Sequence, residues 1–313
     1  MRLLVTGGAG YIGSVVTAQR LEAGHQVTVL DDLSTGHRDA VPHDATFVEA
    51  DIADPGPVLD GVEAVLHFAA KALVPESVEY PERYWKNNVV GTLALLDAMR
   101  AAAVPRLVFS STAATYGQPN ESPITEDTPA VPVNPYGHTK LAVDHALVGA
   151  AAAHGLAAVS LRYFNVGGAY AGRGERHDPE THLIPNVLAV AAGRRESVNV
   201  YGTDYPTRDG TPVRDYLHVE DLGRAHLLAL DAAVSGVHQI YNLGTGTGYT
   251  VREVIDTCRQ LTGHPVPSTD HDRRPGDPDV LVASGRRAAD RLGWVPRHDL
   301  ARIVADAWSF IRS

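Results

Sequence analysis

The feature that most constrains this chain is a short apolar strand that runs straight into a glycine-rich turn. Residues 2–6 read Arg-Leu-Leu-Val-Thr, the turn reads Gly-Gly-Ala-Gly-Tyr-Ile-Gly, and an amphipathic helical pattern follows at 14–23. In a strand–turn–helix unit of this kind, glycines bring the backbone close to a pyrophosphate, and the helix N-terminus faces the anion. Gly7, Gly10 and Gly13 therefore predict a dinucleotide-binding site.

The acid at the end of the second strand bears on the choice of cofactor. Residues 26–30 form an apolar strand pattern that ends in Asp31, close to the position at which an acid binds the ribose diol of a dinucleotide. A carboxylate there repels a 2′-phosphate, so NAD is favoured over NADP. Arg38 is a counter-argument, but it lies well past the strand end. An ordinary turn residue is the alternative interpretation of Asp31.

The alternation of strand and helix continues through the first half of the chain. Apolar strand patterns at 46–50, 63–68 and 105–109, with a long helical pattern at 82–103, predict a parallel sheet with right-handed crossovers. The expected fold class is α/β, a Rossmann-type doubly wound parallel sheet with a smaller C-terminal α/β substrate-binding domain. Ligands of such sheets bind beyond the carboxyl ends of the strands. The residues expected on that rim are Asp31, Asp51, Phe68, Ser110 and Thr112.

A tyrosine and a lysine one helical turn apart are the candidate catalytic pair. Asn134 is a good N-cap and Pro135 suits the first helical position, so a helix should start here and place Tyr136 and Lys140 on one face. An ammonium beside a phenol lowers the pKa of the phenol, which then accepts a proton from a sugar or steroid hydroxyl. Thr112, on the rim, can share a hydrogen bond with both hydroxyls. A surface Tyr–Lys pair and a capping threonine are the alternatives.

Composition limits the function classes. The net charge of −10 argues against nucleic acid as a partner, because phosphate contacts need Lys and Arg in excess. The single cysteine, Cys258, allows no intrachain disulfide and is expected to be a buried, inert thiol. A secretory leader pattern and an apolar run of about 18 residues are both absent, so no membrane span is expected. These features fit a cytoplasmic enzyme or binding protein.

The histidines do not predict a metal site. His177, His182, His218 and His226 show no spacing with cysteine or acidic residues that is typical of metal ligands. We therefore expect no metal.

Five stretches of the chain match one family pattern. They are Val-Thr-Gly-Gly-Ala-Gly-Tyr-Ile-Gly-Ser at 5–14, Ser-Ser-Thr-Ala-Ala-Thr-Tyr-Gly at 110–117, Leu-Arg-Tyr-Phe-Asn-Val at 161–166, the stretch 201–216, and Tyr-Asn-Leu-Gly at 241–244. The chain resembles the extended short-chain dehydrogenase/reductase family and, within it, the UDP-glucose 4-epimerases (UDP-galactose 4-epimerases). The glycine motif is typical of the whole superfamily, whereas residues 202–215 and the arginine-rich stretch 273–277 indicate the epimerases.

The resemblance implies roles for the matched residues. Tyr136 would be the general base, Lys140 would hold the nicotinamide ribose and Thr112 would bridge to the sugar. Besides these and the three glycines, the residues that would bind NAD are Tyr11, Ile12, Asp31, Asp32, Asp51, Ile52, Phe68, Ala69, Asn87, Ser110, Tyr163 and Phe164. Two positions depart from the family pattern. Asp32 stands where an asparagine is usual, and Ala72 stands where a lysine can occur, beside Lys71.

A change of composition near 167 predicts two domains. Residues 1–166 would form the NAD-binding Rossmann domain and residues 167–313 the UDP-sugar-binding domain. Alternatively, segments near 213–245 would return to the first domain. A UDP-sugar needs a lid over its uracil and guanidinium groups around its diphosphate. The residues assigned to it by this chemistry and by the resemblance are Thr112, Asn165, His182, Leu183, Asn199, Tyr201, Arg214, Arg274 and Asp277.

The resemblance implies reversible C4 epimerisation of UDP-glucose and UDP-galactose by transient hydride transfer to tightly bound NAD. Leu281 falls where the family controls sugar size, so UDP-N-acetylhexosamine is an alternative substrate, and UDP-glucuronate is another. A sugar-nucleotide 4,6-dehydratase needs an acid in the stretch after Thr112, where the chain has Ala-Ala-Thr. A non-enzymatic NAD-sensing module would not need Tyr136 or Lys140.

The resemblance also implies a homodimer. The helices around 81–103 and 136–153 would form its interface. The alanine-rich run 142–153 permits close helix contact, but it suits a buried helix equally well.

Overall fold

The structure is a computed structural model that describes residues 1–274 and 276–313. Its strands are β1 (Arg2–Thr6), β2 (Gln26–Asp31), β3 (Thr46–Glu49), β4 (Ala64–His67), β5 (Arg106–Thr112), β6 (Ala157–Tyr163), β7 (Asn165–Gly167), β8 (Ala169–Tyr170), β9 (Arg173–Gly174), β10 (Val198–Tyr201), β11 (Val213–His218), β12 (His238–Leu243), β13 (Gly248–Thr250), β14 (Ser268–His271) and β15 (Val280–Leu281). Its helices are α1 (Tyr11–Glu22), α2 (Val74–Glu79), α3 (Pro81–Tyr84), α4 (Thr92–Ala101), α5 (Pro135–His154), α6 (Leu183–Ala191), α7 (Val219–Asp231), α8 (Val251–Thr262), α9 (Arg286–Leu292) and α10 (Leu300–Arg312). A π-helical segment, Trp85–Gly91, joins α3 to α4, so residues 81–101 are helical throughout, close to the predicted 82–103.

The central sheet is parallel, with the strand order β12-β6-β5-β4-β1-β2-β3. The order reverses between β1 and β4, because β2 and β3 lie on one side of β1 while β4, β5 and β6 lie on the other. Such a reversal opens a crevice at the carboxyl ends of the two central strands, where ligands of this fold class bind. The crevice lies beyond Thr6 and His67, the last residues of β1 and β4. The predicted Rossmann-type α/β fold is confirmed.

The two faces of this sheet are covered by different helices. Side chains along a strand alternate between faces, so Leu3 and Val5 of β1 join one apolar cluster and Leu4 joins another. Apolar side chains of α1 and α7 complete the first cluster, and those of α4 and α5 complete the second. The long apolar runs of the strands are thus explained by burial on both faces.

Helix α5 begins as predicted and α1 does not. The Asn134 side chain accepts the Gly137 N–H at 2.9 Å, Pro135 is the first helical residue, and Gly155 ends α5 with a φ of +74°. In contrast, α1 begins at Tyr11 rather than at the predicted residue 14. The backbone of Gly10 is extended and serves as its N-cap, so the last glycine of the motif already lies inside the helix.

The second half of the chain builds smaller sheets around a separate core. Strand β11 pairs with β7, β13 and β15, and β10 pairs with β14. Helices α6, α8 and α10 supply most of the apolar cluster behind them, which includes Cys258. Burial raises the pKa of the Cys258 thiol to about 12, which confirms the expected buried, inert thiol. Residues 238–243 pair with β6 in the central sheet, whereas 213–218 stay in the smaller one; the division at 166 and 167 stays a prediction.

Within residues 1–274 and 276–313, none of the helices has both the length and the apolar character needed to cross a bilayer.

One buried ion pair joins α5 to the central sheet. Asp144 of α5 accepts hydrogen bonds from Nε and Nη2 of Arg162 in β6, at 3.1 and 2.7 Å. The two side chains are only 2% and 4% exposed. The guanidinium also lies over the Tyr116 ring, 4.9 Å from its centroid. Removing one partner of such a pair leaves a buried charge uncompensated, which is far more costly than losing a surface pair.

We predict that Asp144→Ala lowers the free energy of unfolding by about 3–5 kcal/mol, because Arg162 stays buried without its partner. The matched control is Asp256→Ala, which removes the exposed pair that Asp256 forms with Arg259; its cost should stay below about 1 kcal/mol. Urea unfolding measures both. Equal losses in the two variants would contradict the prediction.

Candidate active site

The glycine turn after β1 faces the crevice. Gly7 has a φ of +72°, and a Cβ there would lie 2.5 Å from the backbone nitrogen of Ala69. Gly10 is the N-cap residue of α1, and no side chain of the described residues makes a capping hydrogen bond there. The first turn of α1 contains no acidic residue. The unpaired N–H groups and the positive end of the helix dipole are therefore available to an anion, as the sequence predicts for a pyrophosphate.

The carboxylate of Asp31 is held beside this turn. Its Oδ2 accepts the Ala9 N–H at 2.9 Å, and its Oδ1 accepts the Leu33 N–H at 2.9 Å. Burial raises the pKa of Asp31, although both hydrogen bonds act to lower it. Asp31 thus fixes the position of the turn and also lines the crevice, where the sequence predicts an acid for a ribose diol.

A single cavity of about 1240 Å³ contains this crevice and extends across to the smaller sheets. Its volume exceeds the about 300–1,000 Å³ of typical small-molecule sites, which fits two ligands side by side. All predicted cofactor and substrate residues line it: Gly7, Gly10, Tyr11, Ile12, Gly13, Asp31, Asp32, Asp51, Ile52, Phe68, Ala69, Asn87, Ser110, Thr112, Tyr136, Lys140, Tyr163, Phe164, Asn165, His182, Leu183, Asn199, Tyr201, Arg214, Arg274 and Asp277. The structure therefore brings these residues together, while their individual roles stay predictions.

The predicted catalytic group lies where β5 and α5 meet. The Lys140 side chain is 2% exposed, and its Nζ donates to the Ser110 carbonyl oxygen at 2.7 Å. The same Nζ lies 4.7 Å from the centroid of the Phe109 ring and 6.0 Å from that of Tyr136. The Thr112 hydroxyl accepts the Ala114 N–H at 3.1 Å and so also caps a short turn, the alternative interpretation raised from the sequence.

The pKa of Tyr136 differs from the sequence prediction. Burial raises it to about 12, and the hydrogen bond with Thr112, which acts to lower it, does not offset burial. Burial also lowers the pKa of Lys140 to about 7, although the charge of Asp144 acts to raise it. The prediction that Lys140 lowers the pKa of Tyr136 is therefore wrong for the protein alone, because the ammonium is itself unstable in this buried position.

A tyrosine near this group was predicted from the sequence, whereas a nearby asparagine was not. Tyr163, at the end of β6, hydrogen-bonds to the Ser110 hydroxyl. Asn88 was not predicted as a site residue. Its side chain accepts the Lys71 N–H at 2.8 Å and donates to the Lys71 oxygen at 3.0 Å and the Thr139 hydroxyl at 3.1 Å. Asn88 thus holds the loop after β4 against α5, a contact that no sequence pattern signals.

The far end of the cavity is rich in arginine. Arg214 donates from Nη2 to Asp277 at 2.5 Å and to the Pro278 carbonyl at 2.8 Å. Its side chain is 13% exposed. This pair fixes the direction of the guanidinium, and it occupies one oxygen of the Asp277 carboxylate, which the sequence analysis assigns to the UDP-sugar.

Neighbouring arginines in the loop after β14 face different ways. Arg274 lines the cavity and lies over the Tyr201 ring, 3.9 Å from its centroid. Hydrogen bonds with Asn199 and Arg274 lower the pKa of Tyr201. Arg273 instead pairs with Asp204, Nε to Oδ1 at 2.7 Å. This difference agrees with the sequence prediction, which chose Arg274 and not Arg273. Pro275, the next residue of the quoted stretch, lies outside the described residues.

Some residues of the cavity wall were missed by sequence reasoning. They include Ser34 and Thr35 in the loop after β2, and Arg195 after α6. No pattern in the local sequence indicates that these residues line the cavity. Glu175 and Glu180 were missed as well, although each begins a Glu-x-His triplet that repeats five residues apart.

We predict a pH-dependent stability that depends on Lys140. Its pKa of about 7 in the folded state lies below the ordinary 10.5, so the unfolded state binds more protons between these two values. The stability of the unsubstituted protein relative to Lys140→Met should therefore be lowest below pH 7. It should rise with pH between the two pKa values, by up to about 1.4 kcal/mol per pH unit.

Urea unfolding of nucleotide-free protein at about pH 6.5, 8 and 9.5 measures this difference. Lys86→Met, at an exposed lysine, is the matched control and should change stability equally at each pH. A pH-independent difference for Lys140→Met would refute the assignment of the pKa.

Comparison with known proteins agrees with this geometry. Residues 3–244 match the NAD dependent epimerase/dehydratase family. The UDP-glucose 4-epimerase of Corynebacterium glutamicum is 58% identical over 314 residues, which cover 99% of this chain and 95% of that relative. The UDP-glucose 4-epimerase of Streptomyces lividans is 58% identical over 316 residues, with the same two coverages.

Solved structures of high similarity share the whole fold. A UDP-glucose-4-epimerase from Stenotrophomonas maltophila with bound NAD and formylated UDP-arabinopyranose has a TM-score of 0.95 at 41% identity, covering 100% of this chain and 98% of that one. A UDP-glucose 4-epimerase from Bifidobacterium longum in complex with NAD+ and UDP has a TM-score of 0.93 at 36% identity, with the same coverage. The chain described here belongs to the NAD dependent epimerase/dehydratase family.

Proposed function

We propose that the chain catalyses the reversible C4 epimerisation of UDP-glucose and UDP-galactose with tightly bound NAD. The observation that carries this proposal is a single cavity that joins a dinucleotide-type glycine turn, a Tyr–Lys–Thr group and an arginine-rich end. Full-length relatives with this activity support it.

The residues of the crevice fit NAD. Gly7 and Gly10 leave the start of α1 open to a pyrophosphate, and the Asp31 carboxylate favours a ribose diol over a 2′-phosphate. When bound, NAD supplies the acceptor and then the donor of hydride for C4 of the sugar. Burial raises the pKa of Tyr136, so a positive charge beside the phenol, which bound NAD would supply, would favour its deprotonated form.

The chain's own groups manage the proton of the sugar hydroxyl. Tyr136 takes it while the sugar is oxidised and gives it back after the sugar has turned over. Thr112 shares a hydrogen bond with Tyr136 and so directs the phenol oxygen. Lys140 is oriented by its bond to the Ser110 carbonyl oxygen, and from this position its amine would bind the nicotinamide ribose.

Substrate binding should depend mainly on UDP. Arg214 and Arg274 present guanidinium groups suited to a diphosphate, and Tyr201 with Asn199 offers a surface for uracil. The sugar itself must rotate between the two hydride transfers, so strong contacts to it would slow the reaction. Firm binding of UDP allows that rotation without release.

A second substrate class is favoured by one residue. Leu281 lines the cavity, and the family resemblance places it where sugar size is controlled. Its side chain is smaller than a tyrosine would be and leaves more room for a substituted sugar. UDP-N-acetylhexosamines are therefore further candidate substrates of the same epimerisation. A 4,6-dehydratase is disfavoured, because an elimination needs an acid and the stretch after Thr112 contains none at 113–115.

The homodimer and the cytoplasmic location are part of the proposal. The family resemblance implies that the helices around 81–103 and 136–153 form the dimer interface. On them, Val90, Leu93 and Val148 are apolar and 45–58% exposed. Pairing those helices with a second copy would remove this apolar surface from water. A cytoplasmic location fits a reaction that uses NAD and nucleotide sugars.

We predict that Tyr136→Phe folds and binds NAD but loses about 10²–10⁴-fold in kcat, because the phenol oxygen is the proton acceptor. Tyr80→Phe, at a tyrosine outside the cavity wall, is the matched control and should keep full activity. Product identification after incubation with UDP-galactose, UDP-N-acetylgalactosamine and UDP-glucuronate measures activity and sugar range. Full epimerase activity in Tyr136→Phe would overturn the catalytic assignment, and no C4 inversion of any substrate by the unsubstituted protein would overturn the function.

We predict that Arg274→Ala raises KM for the UDP-sugar about 10–100-fold, the usual effect of losing a charged hydrogen bond. Arg273→Ala removes the adjacent arginine, which points to Asp204 instead, and should leave KM within about twofold. Steady-state kinetics of both variants decide the matter. A similar KM for the two would show that Arg274 does not bind the diphosphate.

A further inference from the structure

A repeated triplet lies in the loop between β9 and α6. Residues 175–177 read Glu-Arg-His, and residues 180–182 read Glu-Thr-His. His182 is the N-cap of α6, and all four acidic and imidazole side chains line the large cavity. Neither the glycine turn nor the Tyr–Lys–Thr group uses this cluster, which we call the Glu–His cluster.

The structure brings these four side chains together closely. One potential ligand atom from each of Glu175, His177, Glu180 and His182 lies within 4.8 Å of the other three. Glu175 Oε1 lies 2.8 Å from Nδ1 of His177 and 2.8 Å from Nδ1 of His182. The same His182 nitrogen lies 2.8 Å from Glu180 Oε1. Nitrogen and carboxylate oxygen atoms therefore converge on one point.

Protons alone satisfy this arrangement poorly. An imidazole nitrogen carries at most one hydrogen, which points well toward one acceptor, yet His182 Nδ1 faces two carboxylate oxygens. Glu175 is only 8% exposed, and its Oε2 is buried without a hydrogen-bond partner among the described residues. The two imidazoles, when protonated, balance the charge of Glu175, but the unpartnered Oε2 keeps acceptor capacity that a bound cation would use.

The carboxylate of Glu180 is already held in position. Its Oε1 accepts the backbone N–H groups of Thr181 and His182 at 2.7 and 2.8 Å. Outer hydrogen bonds of this kind orient the ligands of metal sites. The Glu–His cluster thus has supporting contacts as well as converging donor atoms.

We propose that Glu175, His177, Glu180 and His182 bind one divalent transition-metal cation, with Zn²⁺ as the best chemical match. Two imidazole nitrogens and two carboxylate oxygens form a donor set that suits Zn²⁺ in tetrahedral geometry. Metal–ligand bonds of about 2.0–2.2 Å place tetrahedral ligand atoms about 3.3–3.6 Å apart. The contacts of 2.8 Å in the cluster would therefore open by about 0.5–0.8 Å. This proposed metal site differs from the sequence-based expectation of no metal, which was drawn from histidine spacing alone.

A second group of similar residues provides an internal comparison. His218, Glu220 and His298 also lie close together. Both ring nitrogens of His218 are occupied, however, because Nε2 faces Asp306 at 3.1 Å and Nδ1 accepts the Glu220 N–H at 3.0 Å. Its imidazole has no nitrogen left for a metal. Only the Glu–His cluster combines converging atoms with an unpartnered buried oxygen in the part of the chain that the structure describes.

The role of the cation follows from its place at α6. The loop from 175 to 182 would be tied to the first turn of α6, where His182 and Leu183 are assigned to the substrate. That part of the inference rests on the proposed function, whereas metal binding itself does not.

Titration of the full-length protein with ZnCl₂ after chelator treatment tests the proposal by isothermal calorimetry. The unsubstituted protein should bind one equivalent. Affinity should fall about 100-fold or more in Glu175→Gln and in His177→Ala, because each removes a ligand. The matched controls, His298→Ala in the second group and the fully exposed His43→Ala, should keep the unsubstituted affinity.

Two further measurements make the outcome decisive. Thermal unfolding of each protein in excess chelator provides its own reference Tm, and added Zn²⁺ should raise Tm above that reference only where the Glu–His cluster is intact. Co²⁺ in place of Zn²⁺ should give the visible absorption typical of tetrahedral coordination. The proposal is overturned by absence of Zn²⁺ binding to the unsubstituted protein, by unchanged binding in Glu175→Gln and His177→Ala, or by loss of binding in His298→Ala alone. These results do not depend on epimerase activity.

Discussion

The reversal of strand order between β1 and β4 is the constraint on which the remaining structure depends. Crossovers from parallel strands are right-handed, so helices that leave the two sides of this point cover opposite faces and diverge. The divergence leaves a crevice that no side chain needs to fill. The glycine turn, the acid that ends β2, the residues after β4 and the last residues of β5 all reach it because each lies at the carboxyl end of a parallel strand. Position in the sheet, and not proximity in sequence, assembles the site.

Sequence periodicity predicts the elements better than it predicts their partners. The strand–turn–helix unit, the start of α5 at Pro135 and the collection of predicted residues in one cavity all follow from local patterns. The contacts of Asn88 and the pairing of β12 with β6 do not, because they join residues far apart in the chain. Loop residues such as Arg195 reach the cavity only through the folded geometry.

The Tyr–Lys pair shows a different limit of prediction from sequence. Helical spacing correctly places Tyr136 and Lys140 on one face, but spacing says nothing about the dielectric around them. Burial disfavours the charged form of each group, so it raises one pKa and lowers the other. A sequence motif can identify such a pair without revealing its charge state.

The pairing of β12 with β6 has a consequence for how the protein is made. While the ribosome has delivered only residues 1–237, β6 is the outermost strand of the large sheet, and its N–H and C=O groups on one side lack a neighbour. A bare edge of this kind is prone to pair with other chains. The first half of the chain can thus assemble a nearly complete nucleotide-binding core early in translation. It remains prone to aggregation until β12 has been synthesised and pairs with β6. A fragment that ends near residue 166 would keep the unpaired edge of β6 and would remain prone to aggregation.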